Sequence, residues 1–272
     1  MHLGQLLLVA FVQGFTEYLP VSSAAHLVLL PTLLGTPDQG LSLDVAAHTG
    51  TFLAAAVYFR GDIRRLWGGL APRPEQNAAS VAAARHLGLL LLVGSVPVLV
   101  VGWLSRDQIA TLARQPAIVA VTSIVFGFVL IIADRVGRRT LEAASLSLRD
   151  GFKIGLAQAL ALIPGTSRSG ITISAALLLN LRRDEAARFS FLLSLPVSMA
   201  IAASEFMVLR GQSLSLWPRW EYLLVMGVSA LVGYTCIGLF LGFVRTRGLT
   251  VFAVYRVVVG VVILAVLFLQ KY

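Results

Sequence analysis

Most of this chain consists of apolar runs, which short polar stretches separate. Six of the runs approach or exceed the 20 or so residues that an α-helix needs to cross the hydrocarbon core of a bilayer. The pattern therefore predicts six spanning helices. The six runs are residues 43–59, 85–104, 116–133, 185–209, 220–244 and 250–269.

Two further apolar regions are each broken near the middle by a polar turn. The arms on either side of these turns are short for a span, and Gln13 and Glu17 interrupt the longest of them. Irregular backbone and charge are tolerated in lipid only where protein or a water-filled cavity satisfies them. We therefore predict two re-entrant helical hairpins, whose tips we name the first elbow (residues 20–23) and the second elbow (residues 164–170). The arms are residues 3–19 and 21–34, and residues 153–163 and 171–181.

The basic residues give an orientation. Fifteen of the 22 Lys and Arg residues lie in loops on one side of the predicted topology, and five lie on the other side. By the positive-inside rule, the arginine-rich loops face the cytoplasm and both termini face outward. The first hairpin then enters the membrane from outside and the second enters from inside.

The two halves of the chain resemble each other. Each half contains a hairpin, a polar elbow, an Asp-x-Ala-Ala motif and spanning runs. We predict an inverted-topology repeat of approximately residues 1–134 and 150–272, which is a common transporter architecture. The matched motifs are Pro20-x-Ser22-Ser23 with Pro164-x-Thr166-Ser167, and Asp44-x-Ala46-Ala47 with Asp184-x-Ala186-Ala187.

The composition supports an all-α polytopic membrane protein that forms one integral membrane domain over residues 1–272. Hydrophobic residues make up 57% of the chain, charged residues make up 13%, and the mean hydropathy is +0.84. The net charge of +9 follows from the positive-inside rule and from attraction to anionic lipid. We expect membrane lipid as a partner and no nucleic acid, because the sequence shows neither a basic face nor an aromatic platform.

Polar residues with complementary chemistry flank both elbows. Gln13 and Glu17 are four residues apart, as are Ser22 and His26, so a helix places each pair on one face. If the elbows meet, one pocket contains a carboxylate for a hard cation, hydroxyl nucleophiles and an imidazole base. The candidate residues are Gln13, Glu17, Ser22, Ser23, His26, Thr166, Ser167, Arg168 and Ser169.

The second elbow also has the features of an anion site. Gly165 allows a tight backbone turn, Thr166 or Ser167 can cap the next helix, and Arg168 lies in its first turn. Free N–H groups, a helix dipole and a guanidinium then point to one place. Together with the first elbow, these groups suit the hydrolysis of a phosphoryl group.

Structural roles are the alternatives. Glu17 and Arg168 could form a purely structural ion pair, Ser22 or Ser23 could be a helix cap, and His26 could be a buried hydrogen-bonding residue. A second set of polar residues is read mainly as caps or packing groups, and Arg256 as a snorkelling residue or a partner of Glu205. That second set is Asp44, His48 and Asp184.

Both elbow motifs resemble a known family. The stretch from Gln13 to His26, and the stretch Pro164-Gly-Thr-Ser-Arg168-Ser-Gly-Ile-Thr172, are similar to the two signatures of the bacitracin-resistance type of undecaprenyl-diphosphatase. The resemblance covers the whole chain in length and segment order. The chain departs from the family pattern at Gln13, which is the amide variant, and at two alanines in place of Thr-Gly. Those alanines are Ala24 and Ala25.

The resemblance implies an enzyme of the bacterial inner membrane whose site opens to the periplasm. Its substrate would be undecaprenyl diphosphate, and hydrolysis would recycle the lipid carrier for cell-wall synthesis and confer bacitracin resistance. The family also implies a divalent metal, Mg²⁺ or Ca²⁺, held by Glu17 and Gln13. Ser23 and His26 would serve catalysis, either of them being the nucleophile, and Arg168 would bind the phosphates.

A transporter or flippase of an anionic polyprenyl lipid is the alternative function. Interrupted helices and an inverted repeat fit a carrier equally well. A carrier, however, does not need a carboxylate, a hydroxyl and an imidazole beside an arginine. The sequence leaves open whether copies of the chain associate into a homo-oligomer.

Overall fold

The protein is a bundle of α-helices. The computed structural model describes residues 2–36, 39–72, 76–105, 108–109, 112, 115–211 and 220–269. We number the helices in chain order. They are α1 (Leu3–Thr16), α2 (Ser23–Leu34), α3 (Leu41–Tyr58), α4 (Arg60–Leu70), α5 (Ala78–Leu104), α6 (Pro116–Val136), α7 (Leu148–Ala159), α8 (Arg168–Leu178), α9 (Arg183–Gly211), α10 (Trp220–Thr246) and α11 (Thr250–Leu269).

Five of these helices, α5, α6, α9, α10 and α11, are long and apolar enough to cross a membrane. They correspond to five of the six predicted runs. The sixth run corresponds to α3, which is 18 residues long and carries Asp44 and His48 among its apolar residues. The chain is therefore an all-helical, multi-pass membrane protein.

Both polar turns interrupt the helices as predicted. Helix α1 ends at Thr16, and α2 begins at Ser23 after a turn. Helix α7 ends at Ala159 and continues as a short 3₁₀ turn, Leu160–Leu162, before α8 begins at Arg168. Because α1 packs against α2 and α7 packs against α8, each pair forms a helical hairpin.

Each hairpin packs against a long helix of the opposite half of the chain. Helix α1 lies against α10, and α7 lies against α5. Glycines permit this proximity, since a Cβ atom on Gly14 would overlap the backbone of Ser229, and one on Gly155 would overlap the backbone of Gly94. The opposite halves therefore hold the two hairpins in the same bundle, with their elbows towards each other.

The arginine-rich loops meet at one end of the bundle. Arg183, at the start of α9, pairs with Asp134 of α6 at 2.6 Å. The same carboxylate accepts a hydrogen bond from the backbone N–H of Leu249 at 3.1 Å, just before α11. Arg188 of α9 pairs with Asp62 of α4. These contacts place on one side the loops that the charge pattern assigned to one side.

Helix α4 was not predicted. We expected a basic loop after residue 59, but Arg60–Leu70 is helical and packs against α5. Phe59, which precedes it, is buried in the main core cluster and anchors its start. Trp67 and Leu70 of α4 are 66% and 73% exposed, so this short helix presents an aromatic and an aliphatic side chain beside its arginines.

Candidate active site

Glu17 is the centre of a hydrogen-bond network at the end of α1. Its Oε2 atom accepts hydrogen bonds from Gln13 Nε2 at 2.9 Å and from Ser23 Oγ at 2.7 Å. Its Oε1 atom pairs with Arg168 Nη2 at 2.7 Å. Only 9% of the Glu17 side chain is exposed, so protein donors take the place of water around this carboxylate. The network joins the first hairpin to the second.

Arg168 is oriented by two partners. It is the first residue of α8, and its Nη1 atom donates to Ser198 Oγ of α9 at 2.8 Å. A guanidinium has five N–H groups, so donors that Glu17 and Ser198 do not use remain for a further acceptor. The backbone N–H groups and the positive dipole end of α8 lie at the same place.

The two elbows are in direct contact. Ser169 Oγ donates a hydrogen bond to the carbonyl oxygen of Leu19 at 3.0 Å. This bond and the Glu17–Arg168 pair link residues that are 150 and 151 positions apart in the chain. The two elbows therefore meet, which is the condition under which the sequence predicts a shared pocket.

The helix that follows each elbow begins with the same backbone conformation. Ser22 caps α2 with φ 71° and ψ 98°, and Ser167 caps α8 with φ 67° and ψ 112°. A strained conformation of this kind costs about 1–3 kcal/mol. Each hydroxyl accepts a backbone N–H three residues on, from Ala25 and from Gly170. By backbone conformation Ser22 corresponds to Ser167, whereas the motif match aligned Ser22 with Thr166.

Arg256 of α11 supports the second elbow from inside the bundle. Its Nη2 atom donates to the carbonyl oxygens of Gly165 at 2.8 Å and of Thr166 at 2.7 Å. The residue is fully buried, so the prediction that it snorkels to the membrane surface is wrong. The side chain of Glu205, its other predicted partner, lies outside the described residues. Arg256 adds a buried positive charge beneath the elbow.

Replacing Gly165 with alanine is expected to destabilise the protein. Gly165 has φ +87°, and an added Cβ atom would overlap the backbone of Val119. A left-handed backbone alone costs a non-glycine residue about 1–2 kcal/mol, so the apparent Tm in detergent should fall by about 5 °C or more. The control is Gly227→Ala in α10, where nothing lies within 4 Å of the added atom. Equal Tm values for the two variants would contradict the prediction.

His26 lies on the other side of the first elbow. Its Nδ1 atom is 2.7 Å from the carbonyl oxygen of Ser22, and its Nε2 atom is 2.7 Å from the hydroxyl of Tyr255, on which the ring also stacks. A carbonyl only accepts, so Nδ1 carries the hydrogen and Nε2 accepts from Tyr255. Both ring nitrogens are therefore engaged, and the catalytic role of His26 stays a prediction.

A cavity of about 230 Å³ lies between the elbows, α3 and α9. Its wall is polar where Glu17, Ser23 and Arg168 face it, and apolar towards Val98 and Ile201. The cavity can therefore accept a ligand that has both an anionic part and an apolar part. The polar residues that line it are Glu17, Ser22, Ser23, His48, Thr49, Thr51, Ser167, Arg168 and Ser198.

The ligands available for a divalent ion are few. Glu17 is the carboxylate at the cavity, and the Oε1 atom of Gln13 beside it is buried without a hydrogen-bond partner. No group of three or more His, Cys, Asp or Glu side chains is clustered within the described ranges. Mg²⁺ typically keeps several waters and takes one or two carboxylates plus substrate phosphates. The residues thus fit an ion of that kind better than Ca²⁺, which takes six to eight oxygen ligands.

Comparisons with known proteins show the family of the chain. The family model described as bacitracin resistance protein BacA matches residues 6–262. The chain belongs to this family. A protein of Magnetococcus marinus named undecaprenyl-diphosphatase is 44% identical over 276 residues, covering 98% of this chain and 100% of the relative. A protein of Alcanivorax borkumensis with the same name is 43% identical over 262 residues, covering 96% of this chain and 97% of the relative.

Not every candidate residue of this BacA-family chain reaches the cavity. Gln13 and Thr166 are fully buried and are not among the cavity-lining residues. Ser169 is buried and uses its hydroxyl to bind Leu19. The candidates that line the cavity are Glu17, Ser22, Ser23, Ser167 and Arg168.

The sequence reasoning missed four polar contributors to the cavity, which are His48, Thr49 and Thr51 of α3 and Ser198 of α9. Ser198 binds Arg168 but lies inside an apolar run without a motif around it. His48 lines the cavity, whereas it was read as a packing residue. A signal for it exists, because Asp44, His48 and Thr51 recur at helical spacing and mark a polar face on a helix that is otherwise apolar.

Proposed function

We propose that this protein hydrolyses undecaprenyl diphosphate to undecaprenyl phosphate and inorganic phosphate. Hydrolysis recycles the lipid carrier of cell-wall synthesis and, by removing the diphosphate form, gives resistance to bacitracin. The observation that carries the proposal is the convergence of Glu17, Ser23 and Arg168 on one cavity inside a membrane-spanning bundle. Two relatives of nearly full length that are named undecaprenyl-diphosphatase support it.

The proposed setting is the inner membrane of a bacterium. Helix α3 and the five long helices form six spans, and the hairpins α1–α2 and α7–α8 re-enter from opposite faces. Helix α1 packs against α10 of the second half, and α7 packs against α5 of the first half. This reciprocal packing supports an inverted repeat of residues 1–134 and 150–272. By the positive-inside rule the arginine-rich loops lie at the cytoplasmic end, and in the proposed orientation the site opens towards the periplasm. The lipid tail stays in the bilayer and enters between helices.

The diphosphate binds to Arg168 and to the start of α8. Glu17 pairs with one N–H group of Arg168. A bidentate phosphate contact uses the remaining N–H groups of the guanidinium, while Ser198 keeps its plane fixed. The buried charge of Arg256 and the dipole of α8 add positive potential where negative charge develops on the transferring phosphoryl group.

Ser23 is the proposed nucleophile and Glu17 its base. The Ser23 hydroxyl already donates to Glu17 at 2.7 Å, within the reach that proton transfer requires. As the Oγ–P bond forms, the proton passes to Glu17, the bridging P–O bond breaks and undecaprenyl phosphate leaves. Water then hydrolyses the phosphoserine, which releases phosphate and restores the serine hydroxyl. The sequence also left open two roles for His26, as the base for Ser23 or as the nucleophile itself, and both remain alternatives.

Glu17 would hold the divalent ion, with Gln13 behind it. A bound ion supplies positive charge to the phosphate oxygens. Gln13 fixes the carboxylate by its hydrogen bond at 2.9 Å. Its own unpartnered oxygen does not line the cavity, and it stays the second ligand that the family resemblance predicts.

Purified protein in detergent is expected to release phosphate from undecaprenyl diphosphate. A chelator should lower the rate at least about tenfold, because one source of transition-state charge stabilisation is removed. The flippase alternative is measured with the same preparation, as transbilayer movement of the lipid in liposomes. Lipid movement without phosphate release would contradict the enzyme and support the carrier. The protein is also expected to bind no nucleic acid.

A further inference from the structure

We propose that His48 supplies a nitrogen ligand to the divalent ion beside Glu17. This inference rests on the proposed function, since it concerns the same cavity. His48 lies on α3 and lines the cavity, and its Nε2 atom is 3.8 Å from Glu17 Oε2. Its side chain is 46% exposed, so a hydrated ion in the cavity can reach the ring.

The orientation of the ring suits a metal ligand. The Nδ1 atom of His48 is 2.8 Å from the carbonyl oxygen of Asp44, one turn earlier in α3. Because a carbonyl only accepts, the hydrogen is on Nδ1, and in the neutral imidazole the lone pair is then on Nε2. Metal-binding histidines almost always donate their other N–H to a carbonyl, a carboxylate or water, which fixes the tautomer. His48 therefore has the second-shell contact of a ligand already in place.

The separation of the two atoms also fits a shared ion. Metal–nitrogen and metal–oxygen bonds are about 2.0–2.2 Å long, so two ligands of one ion lie roughly 3–4 Å apart. The observed 3.8 Å falls inside this range. Glu17 Oε2 also accepts a hydrogen bond from Ser23 Oγ, so a hydroxyl oxygen lies next to the pair.

Neither His26 nor His86 presents a ring nitrogen to the cavity in this way. Both nitrogens of His26 have partners, Ser22 and Tyr255. His86 of α5 donates its Nε2–H to the carbonyl oxygen of Leu146, in the part of the bundle that carries the arginine-rich loops. His48 is therefore the imidazole that the cavity presents to an ion.

An imidazole changes the expected metal preference. Carboxylates, carbonyls and water suit Mg²⁺, Ca²⁺ and Mn²⁺, whereas imidazole suits transition metals. A Glu–His pair should thus favour Co²⁺ or Zn²⁺ over Ca²⁺ at equal concentration. This metal preference follows from the pairing of His48 with Glu17, because Gln13 and Glu17 alone offer only oxygen ligands.

Mn²⁺ binding to the purified full-length protein tests the proposal without any turnover. Electron paramagnetic resonance gives the free Mn²⁺ concentration, and pulsed measurements detect a coordinated ¹⁴N nucleus. The wild type should show ¹⁴N coupling in the presence of inorganic phosphate. His48→Gln should lose the coupling and bind Mn²⁺ at least about tenfold more weakly. The matched controls His26→Gln and His86→Gln should keep both.

Several outcomes would overturn the proposal. Mn²⁺ bound without ¹⁴N coupling in the wild type would show an oxygen-only site, and coupling lost in His26→Gln but kept in His48→Gln would assign the ligand to His26. Absence of Mn²⁺ binding by the wild type would also overturn it. Phosphate release is measured in parallel, so that turnover without ¹⁴N coupling refutes the ligand alone. Coupling without turnover refutes the proposed function and leaves the ligand.

Discussion

Replacing Arg168 with lysine is expected to lower kcat for phosphate release by about 100-fold or more. Lysine keeps the charge but lacks the planar fork that holds Glu17, Ser198 and a phosphate at once. An ammonium that pairs with Glu17 has fewer fixed donors for the phosphoryl group. The measurement is the steady-state rate with undecaprenyl diphosphate in detergent.

Arg182→Lys is the matched control for this substitution. Arg182 also pairs with carboxylates, those of Glu142 and Asp184, but its side chain is 44% exposed at the end of the bundle with the basic loops. Exposed ion pairs contribute little, so its activity should stay near that of the wild type. Near-normal turnover in Arg168→Lys would refute the clamp and leave Arg168 as a structural partner of Glu17.

Replacing Glu17 with glutamine is expected to lower the turnover rate to about 1% of the wild-type rate or less, since Ser23 loses its proton acceptor. The change also leaves Arg168 without its carboxylate in a site where only 19% of its side chain is exposed. Removing one partner of a buried pair costs about 3–5 kcal/mol, and we expect a smaller loss because the site is partly open. Activity and the apparent Tm are measured together.

Glu142→Gln is the control for Glu17→Gln, because Glu142 pairs with Arg182 at 3.2 Å while 62% of its side chain is exposed. Both of its readouts should stay close to the wild type. A Glu17→Gln protein with a lower Tm but normal turnover would assign Glu17 a structural role only. Normal values of both would remove Glu17 from the site altogether.

The elbows were predictable because their signals are local. A proline followed by hydroxyls between two short apolar arms disfavours a continuous spanning helix, and the structure breaks both helices there. The cap at Ser167 and the position of Arg168 in the first turn of α8 also follow from neighbouring residues. The sharing of one face by Gln13 and Glu17 is likewise a matter of helical spacing.

The rest of the site depends on packing between distant segments. Ser198 and Arg256 act through the way α9 and α11 cross the second elbow, and no local pattern encodes a crossing. His26 and His48 illustrate the limit most clearly. The signature placed His26 next to the elbow, but the rotation of α2 turns its ring to Tyr255. The packing of α3 brings His48 to Glu17.

A structure of the protein with bound inorganic phosphate or vanadate tests the central claim most directly. We expect the anion in the cavity between the two elbows, with its oxygens on the Arg168 guanidinium and on the backbone N–H groups at the start of α8, and with Ser23 Oγ facing the phosphorus or vanadium. An anion bound outside this cavity, with Arg168 held by Glu17 and Ser198 alone, would contradict the account.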